Sequence, residues 1–138
     1  MRVLIDTSVW SLALRRNQPA DSPVVSELIE LIKEVRSQMI GPVRQELLSG
    51  LKSQVQGQKL RNHLRAFPDL EIITRDYESA ADFFNLCREK GIQGSNTDFL
   101  ICSVAARYKI PIFTTDEDFS LFQPHLPITL HIPRTLTT

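Results

Sequence analysis

The spacing of apolar positions predicts short strands alternating with helices. Arg2-Val3-Leu4-Ile5 is a short apolar run closed by polar residues, the pattern of a buried strand. Ser8 to Arg15 predicts a short helix, with Thr7 or Ser8 available as its cap. After a proline-bearing loop over Asn17 to Ser22, Pro23 to Ser37 predicts an amphipathic helix capped by Asp21 or Ser22. Its apolar residues Val24, Val25, Leu28, Ile29, Leu31, Ile32 and Val35 recur at helical spacing. Met39-Ile40 is a very short strand candidate. Helices are then predicted over Pro42 to Leu51 and Gln58 to Phe67, a strand over Leu70 to Ile73, and a long helix over Asp76 to Lys90 that Gly91 ends. A loop, a helix over Thr97 to Tyr108, a strand over Ile110 to Thr114, a short helix over Asp116 to Phe122 and a strand over Pro127 to Ile132 complete the chain.

This alternation predicts an α/β sandwich with a mostly parallel central sheet. The 138 residues fit one domain, spanning 1–138, with enough chain to bury a core without disulfides or structural metal. Hydrophobic residues at 42% and charged residues at 23% are the composition of a folded protein. Lys plus Arg and Asp plus Glu balance at 16 each, so no overall positive field draws the chain to nucleic acid, although a local basic patch can coexist with an acidic pocket. Cys87 and Cys102 form no C-x-x-C pair, which argues against a disulfide framework or a zinc site and suits a reducing compartment. The N-terminal residues lack the pattern of a signal peptide, and no apolar run reaches the ~20 residues of a membrane span. The expected location is the cytoplasm.

Ligands of parallel sheets bind beyond the carboxyl ends of the strands, and four acids fall at such places. Asp6 follows the first strand and Asp116 the strand at 110–114, while Asp98 opens a helix after Ser95-Asn96-Thr97 and Glu46 lies in the helix after Pro42. Each alone fits a structural role: Asp6 as a turn residue or a cap, Asp116 as a cap, Asp98 as a first-turn acid behind Thr97 or Asn96, Glu46 as a solvated helix residue. Together they point to one crevice, provided that the strands carrying Asp6 and Asp116 are neighbours. Glu46 borders the apolar stripe of Val43 and Leu47, and Gly50 one turn on would leave room beside it. Clustered carboxylates without bases need protons or divalent cations to neutralise them, and hard oxygen donors select magnesium or manganese. Such a site suits phosphodiester hydrolysis.

Four segments carry a family resemblance. Ile5-Asp6-Thr7-Ser8-Val9-Trp10, Pro42-Val43-Arg44-Gln45-Glu46-Leu47, Asp98-Phe99-Leu100-Ile101 and Thr114-Thr115-Asp116-Glu117-Asp118-Phe119 resemble, in order and spacing, the acidic motifs of PIN domains, above all VapC-type toxins. The resemblance covers nearly the whole chain. It implies a three-layer α/β/α sandwich around a five-stranded parallel sheet, and a Mg2+-dependent endoribonuclease with Mn2+ as a substitute. It also implies the toxin half of a type II toxin–antitoxin pair, with a cognate antitoxin and commonly a homodimer. Carried over residue by residue, the catalytic metal ligands would be Asp6, Glu46, Asp98 and Asp116, some through water. Ser8 and Thr114 would orient the carboxylates. Asp118 is an additional acid, open to a supporting or ligating role, with a surface helix position the plainer reading. The helix after Asp98 departs slightly from the pattern at Ile101-Cys102-Ser103.

From Leu47 through Pro68 there is no acid, yet Lys52, Lys59, Arg61 and Arg65 occur there. This stretch reads either as a solvated helix face or as a surface for RNA phosphates or the antitoxin; Arg15 and Arg16 invite the same reading more weakly. Trp10, Phe83 and Phe84 read as core or interface, Cys87 and Cys102 as small buried hydrophobes. His63, His125 and His131 lack metal-ligand spacing. Other functions compete. A catalytically silent PIN module binding RNA or a protein partner has no evident reason to keep every acid. A phosphoacceptor receiver domain would need adjacent acids after the first strand and an aspartate after a middle one, where this chain has Thr7 and Thr74. A DNA flap or repair nuclease would share the chemistry but normally carries extra duplex-binding elements.

Overall fold

The computed structural model describes residues 1–15 and 22–134. Its sheet is parallel, in the order β2-β1-β3. The central strand β1 (Val3–Ile5) pairs with β2 (Ser37–Gln38) on one side and β3 (Ile112–Phe113) on the other. All three residues of β1 are fully buried, as expected for a strand covered on both faces. Single parallel bridges, Met39 to Asp69 and Ile112 to Leu130, extend the two edges. The expected strand at 127–132 is thus reduced to the Leu130 bridge, and in place of the one at 70–73 there is only the bridge at Asp69, just before it, with the Leu70 N–H bonded to Met39 C=O. Pro68 and Pro127 lack the N–H a ladder needs. Ile73 gives its N–H to the Asp76 carboxylate at the start of the next helix instead. The expected strand at Met39-Ile40 also shifts, with the ladder at Ser37–Gln38 and Met39 in the bridge.

The helices are α1 (Thr7–Leu14), α2 (Pro23–Lys33), α3 (Gly41–Leu48), α4 (Gln54–Leu64), α5 (Thr74–Glu89), α6 (Asn96–Tyr108) and α7 (Asp118–Phe122). Local chemistry moves several ends from their expected places. Of the expected caps it is Asp6, and not Thr7 or Ser8, that occupies the N-cap of α1, with no side-chain cap bond there. Ser22 caps α2; Asp21 lies outside the described residues. That helix stops at Lys33 because Val35 turns left-handed (φ 57°). Arg36 N–H then bonds Leu31 C=O, and Val35 N–H bonds Ile32 C=O. The turn frees Ser37 and Gln38 for the sheet. Gly50 (φ 81°) ends the run after α3 short of Leu51. Ser53 accepts the Gln56 N–H at 3.2 Å and starts α4 four residues before Gln58, so Gly57 lies inside the helix.

In the helical packing, α1 lies against α2 and α3, α3 against α4, and α5 against α6. Their buried faces supply Val9, Leu31, Val43, Ile101 and Val104 to the core around the sheet. Two buried acids are paired. Glu27 of α2 meets His131 at 2.6 Å and Arg134 at 3.0 Å, tying the last segment to α2. Asp76 takes two hydrogen bonds from Arg107, joining the start of α5 to the end of α6. Burial pushes the Asp76 carboxyl up, but the Arg107 bonds, the Ile73 N–H and the guanidinium charge outweigh it and hold it below its usual value. No described helix is long and apolar enough to cross a membrane.

Candidate metal and catalytic site

The parallel pairing of β1 and β3 sets Ile5 beside Phe113, so the residues leaving the two strands emerge together. Asp6 is almost fully buried, and two hydroxyls hold it. Ser8 Oγ donates to Asp6 Oδ2 at 2.7 Å, and Thr114 Oγ1 donates to the same oxygen at 2.8 Å. Each hydroxyl is aimed from behind by a backbone N–H: Thr115 donates to Ser8 Oγ and Asp116 to Thr114 Oγ1, both at 3.0 Å. An N–H occupying a hydroxyl lone pair turns its proton toward the carboxylate. Asp6 Oδ1 receives no hydrogen bond among the described residues, so one oxygen is clamped and the other stays free to accept.

Asp98 stands at the third position of α6 in a capping box. Its N–H donates to Ser95 Oγ at 3.0 Å, and its Oδ2 accepts the Ser95 N–H at 3.2 Å. The cap is therefore Ser95, rather than Thr97 or Asn96. Asp116 Oδ1 accepts the Asp118 N–H at 2.9 Å, which turns the chain into α7. Asp98, Asp116 and Asp118 each offer a carboxylate oxygen, all within 4.8 Å of one another. Burial pushes the Asp98 carboxyl above its ordinary value, and the charges of Asp6 and Asp116 push the same way against the lowering effect of the Ser95 bonds. The close group is all carboxylate. The nearby Cys102 is buried, and burial with the Asp98 charge holds its thiol far above its usual range, so it offers no thiolate. Cys87 is likewise a buried thiol pushed up by burial.

The family profile described as PIN domain matches residues 3–123. The chain belongs to the PIN-domain family. No curated protein sequence matches it. Its fold is that of several solved proteins. FitAcB from Neisseria gonorrhoeae superposes with a TM-score of 0.76 at 20% identity, covering 95% of this chain and 97% of that one. VapBC2 from Rickettsia felis, bound to a DNA fragment from their promoter, gives 0.73 at 20%, covering 95% and 98%. VapBC-5 from Mycobacterium tuberculosis, a member of the VapBC family of toxin-antitoxin systems, gives 0.67 at 16%, covering 96% and 100%.

Within this PIN domain the expected acids do not all converge equally. Asp98 and Asp116 share the close group, whereas Asp6 and Glu46 are outside it. Glu46 is exposed rather than bordering a buried stripe, and Thr7 Oγ1 holds it with a 2.6 Å hydrogen bond. Gly50 serves the turn after α3. Asp118, for which a surface helix position was the plainer expectation and a supporting or ligating role the open one, opens α7 and also lies in the close group. Its position two residues after Asp116 in a tight turn was the available signal. Ser8 and Thr114 do touch Asp6. Thr7 and Ser95 as positioning residues went unforeseen; the S-x-x-D spacing of Ser95 and Asp98 is a readable capping box. Arg15, Lys52, Lys59, Arg61 and Arg65 are exposed and form no ion pair with these carboxylates, and Arg16 lies outside the described residues.

Proposed function

We propose that this PIN domain is a Mg2+- or Mn2+-dependent endoribonuclease, cytoplasmic, and the toxin of a type II toxin–antitoxin pair. The convergence of Asp98, Asp116 and Asp118 beside the hydroxyl-clamped Asp6 carries the reading. Three carboxylates crowded together, one of them destabilised in its charged form, fit a hard divalent cation. When bound, the cation activates water for attack on a phosphodiester and offsets charge on the phosphate. Asp98, Asp116 and Asp118 would hold it, with Asp6 and Glu46 as the further carboxylates of the set. Ser8 and Thr114 keep Asp6 fixed and its second oxygen available. Thr7 keeps Glu46 at the rim, where a groove lined by Pro42, Gln45, Glu46, Ser49 and Thr97 would receive the substrate strand.

The toxin role is supported by the likeness to toxin–antitoxin components, which also supports an antitoxin as partner. A homodimer belongs to the same reading, and the groove between α5 and α6, with Tyr77, Ala81, Phe84 and Leu100 beside Pro42, would offer it an apolar face. The test is cleavage of a mixed RNA pool by purified protein, freed of any bound partner, in magnesium or manganese and in EDTA. Metal-dependent cutting lost in Asp98→Asn is the expected result. A well-folded wild type that binds RNA and never cuts it would overturn the enzyme reading in favour of a silent binding module.

A further inference from the structure

We infer that the exposed face of α4 is the track for the RNA backbone, with phosphates paired to Arg61 and Arg65 and flanked by Lys52 and Lys59. The inference rests on the ribonuclease reading above. An acidic pocket repels a polyanion, and a chain of zero net charge has no long-range field to overcome that, so the cations must be local. The segment from Leu47 through Pro68 supplies four of them without one acid.

All four side chains are exposed, and among the described residues none has a carboxylate partner. Arg44, on the preceding helix, behaves differently: it is locked to Asp69 and to the carbonyls of Leu64 and Phe67, and is spent on the fold. The guanidinium groups of α4 are ordered by neutral amides instead. Arg61 donates to Gln58 Oε1 at 3.1 Å, Gln58 donates to Asn62 Oδ1 at 3.0 Å, and Arg65 donates to that same Asn62 oxygen at 3.4 Å. This ladder fixes two cations one helical turn apart and leaves their charge unneutralised. A guanidinium fork suits phosphate oxygens in particular.

The ladder continues toward the carboxylates. Gln58 and Arg61 line a groove with Leu48, Ser53 and Gln54. Ser49, the neighbour of Leu48, lines the groove that holds Glu46 and Thr97, the residue before Asp98. A strand leaving the cutting site would thus pass over hydroxyls and amides at the end of α3 onto the cationic face of α4. Guanidinium, hydroxyl and amide along one path make a surface for a phosphodiester backbone rather than for an apolar helix of a protein partner.

The test is fluorescence anisotropy on a labelled single-stranded RNA, with Asp98→Asn as the non-cutting parent. The double variant Arg61→Gln/Arg65→Gln in that background is compared with a charge-matched control at the two ends of α5, Arg75→Gln/Lys90→Gln. All four positions are exposed, and melting curves verify folding. Kd should rise several-fold in the α4 variant, and the slope of log Kd against log salt should drop by about 1.4, about 0.7 for each lost phosphate contact. The control should bind as the parent does. Equal affinity and equal slope in the α4 variant would overturn the track, as would a parent that binds no RNA. Loss of a co-purifying protein partner with RNA binding intact would reassign the face to protein docking. Failure of the ribonuclease reading looks different: RNA bound with the expected salt slope, and no cutting by wild type.

Discussion

Thr114 donates a 2.8 Å hydrogen bond to Asp6 across the ends of two neighbouring strands, although 108 residues separate them in the chain. The same hydroxyl accepts the Asp116 N–H, so it fixes one acid through its side chain and a second through its backbone. Thr114→Val keeps the shape and removes both bonds. Groups that orient ligating side chains typically cost 10–100-fold when lost, so cleavage should slow by about that factor. A melting temperature close to wild type alongside slowed cleavage would identify a positioning residue. Unchanged kcat would show that Ser8 alone suffices to hold Asp6.

Asp98 gives the pH dependence of the metal-free protein its sign. Its carboxyl is raised in the folded state by burial and by the charges of Asp6 and Asp116. The folded protein therefore binds a proton more tightly than the unfolded chain does. The stability this contributes is complete below the ordinary carboxylate value and is lost as pH rises through the raised one. In EDTA, Asp98→Asn should melt higher than wild type at neutral pH, and the gap should shrink as pH falls toward the carboxylate range. Added magnesium should raise wild type and leave Asp98→Asn nearly unmoved. A variant that melts lower than wild type at neutral pH without metal would contradict the crowding of charge on Asp98.

What could be read in advance follows the range of the interactions. Asp6, Asp98 and Asp116 were legible because strand ends and a helix start place them, and local pattern reports such positions. The parallel sheet was legible from strand–helix alternation, but its edges were not. Whether Leu70 to Ile73 forms a ladder depends on where α5 draws its cap, and Asp76 takes the Ile73 N–H. The neighbours of Asp118 and Glu46 were illegible for a related reason. The facing of an acid in a short helix is set by the turn before it, here the Asp116 to Asp118 bond, and by a partner 39 residues away, here Thr7. Periodicity carries neither.

Val35 is a β-branched residue in the left-handed region, and the residue is 83% exposed. Its conformation closes α2 and no packing repays it, so Val35→Gly should relieve strain. The left-handed penalty for L-residues is about 1–2 kcal/mol, partly offset by the greater unfolded entropy of glycine, leaving about 1 kcal/mol of added stability. Urea unfolding should show a higher midpoint at unchanged slope. A lower midpoint would mean that the turn is not left-handed in solution.

Gly94 lies against the rings that support two of the clustered acids. A Cβ there would sit 2.5 Å from Phe122 and 2.9 Å from Phe99. Those rings pack tilted against each other, with centroids 4.8 Å apart and planes 38° apart, and Phe122 in turn meets Phe119 at 5.3 Å. Phe99 directly follows Asp98, and Phe119 directly follows Asp118. Displacing the rings therefore moves both carboxylates. Phe119 and Phe122 are fully buried and have little room to yield, whereas Phe99 lines a small groove with Gly94. Gly94→Ala should cost about 1–3 kcal/mol as an overpacking change. It should also weaken Mn2+ binding, read by isothermal titration at a temperature where the variant is fully folded. Because the substitution touches no acid and removes no hydrogen bond, weaker Mn2+ binding in a folded variant ties the carboxylate geometry to the aromatic support. Destabilisation with Mn2+ affinity unchanged would separate the two, leaving the turn from Asp116 to Asp118 and the Ser95 cap to hold the acids in place without help from the rings.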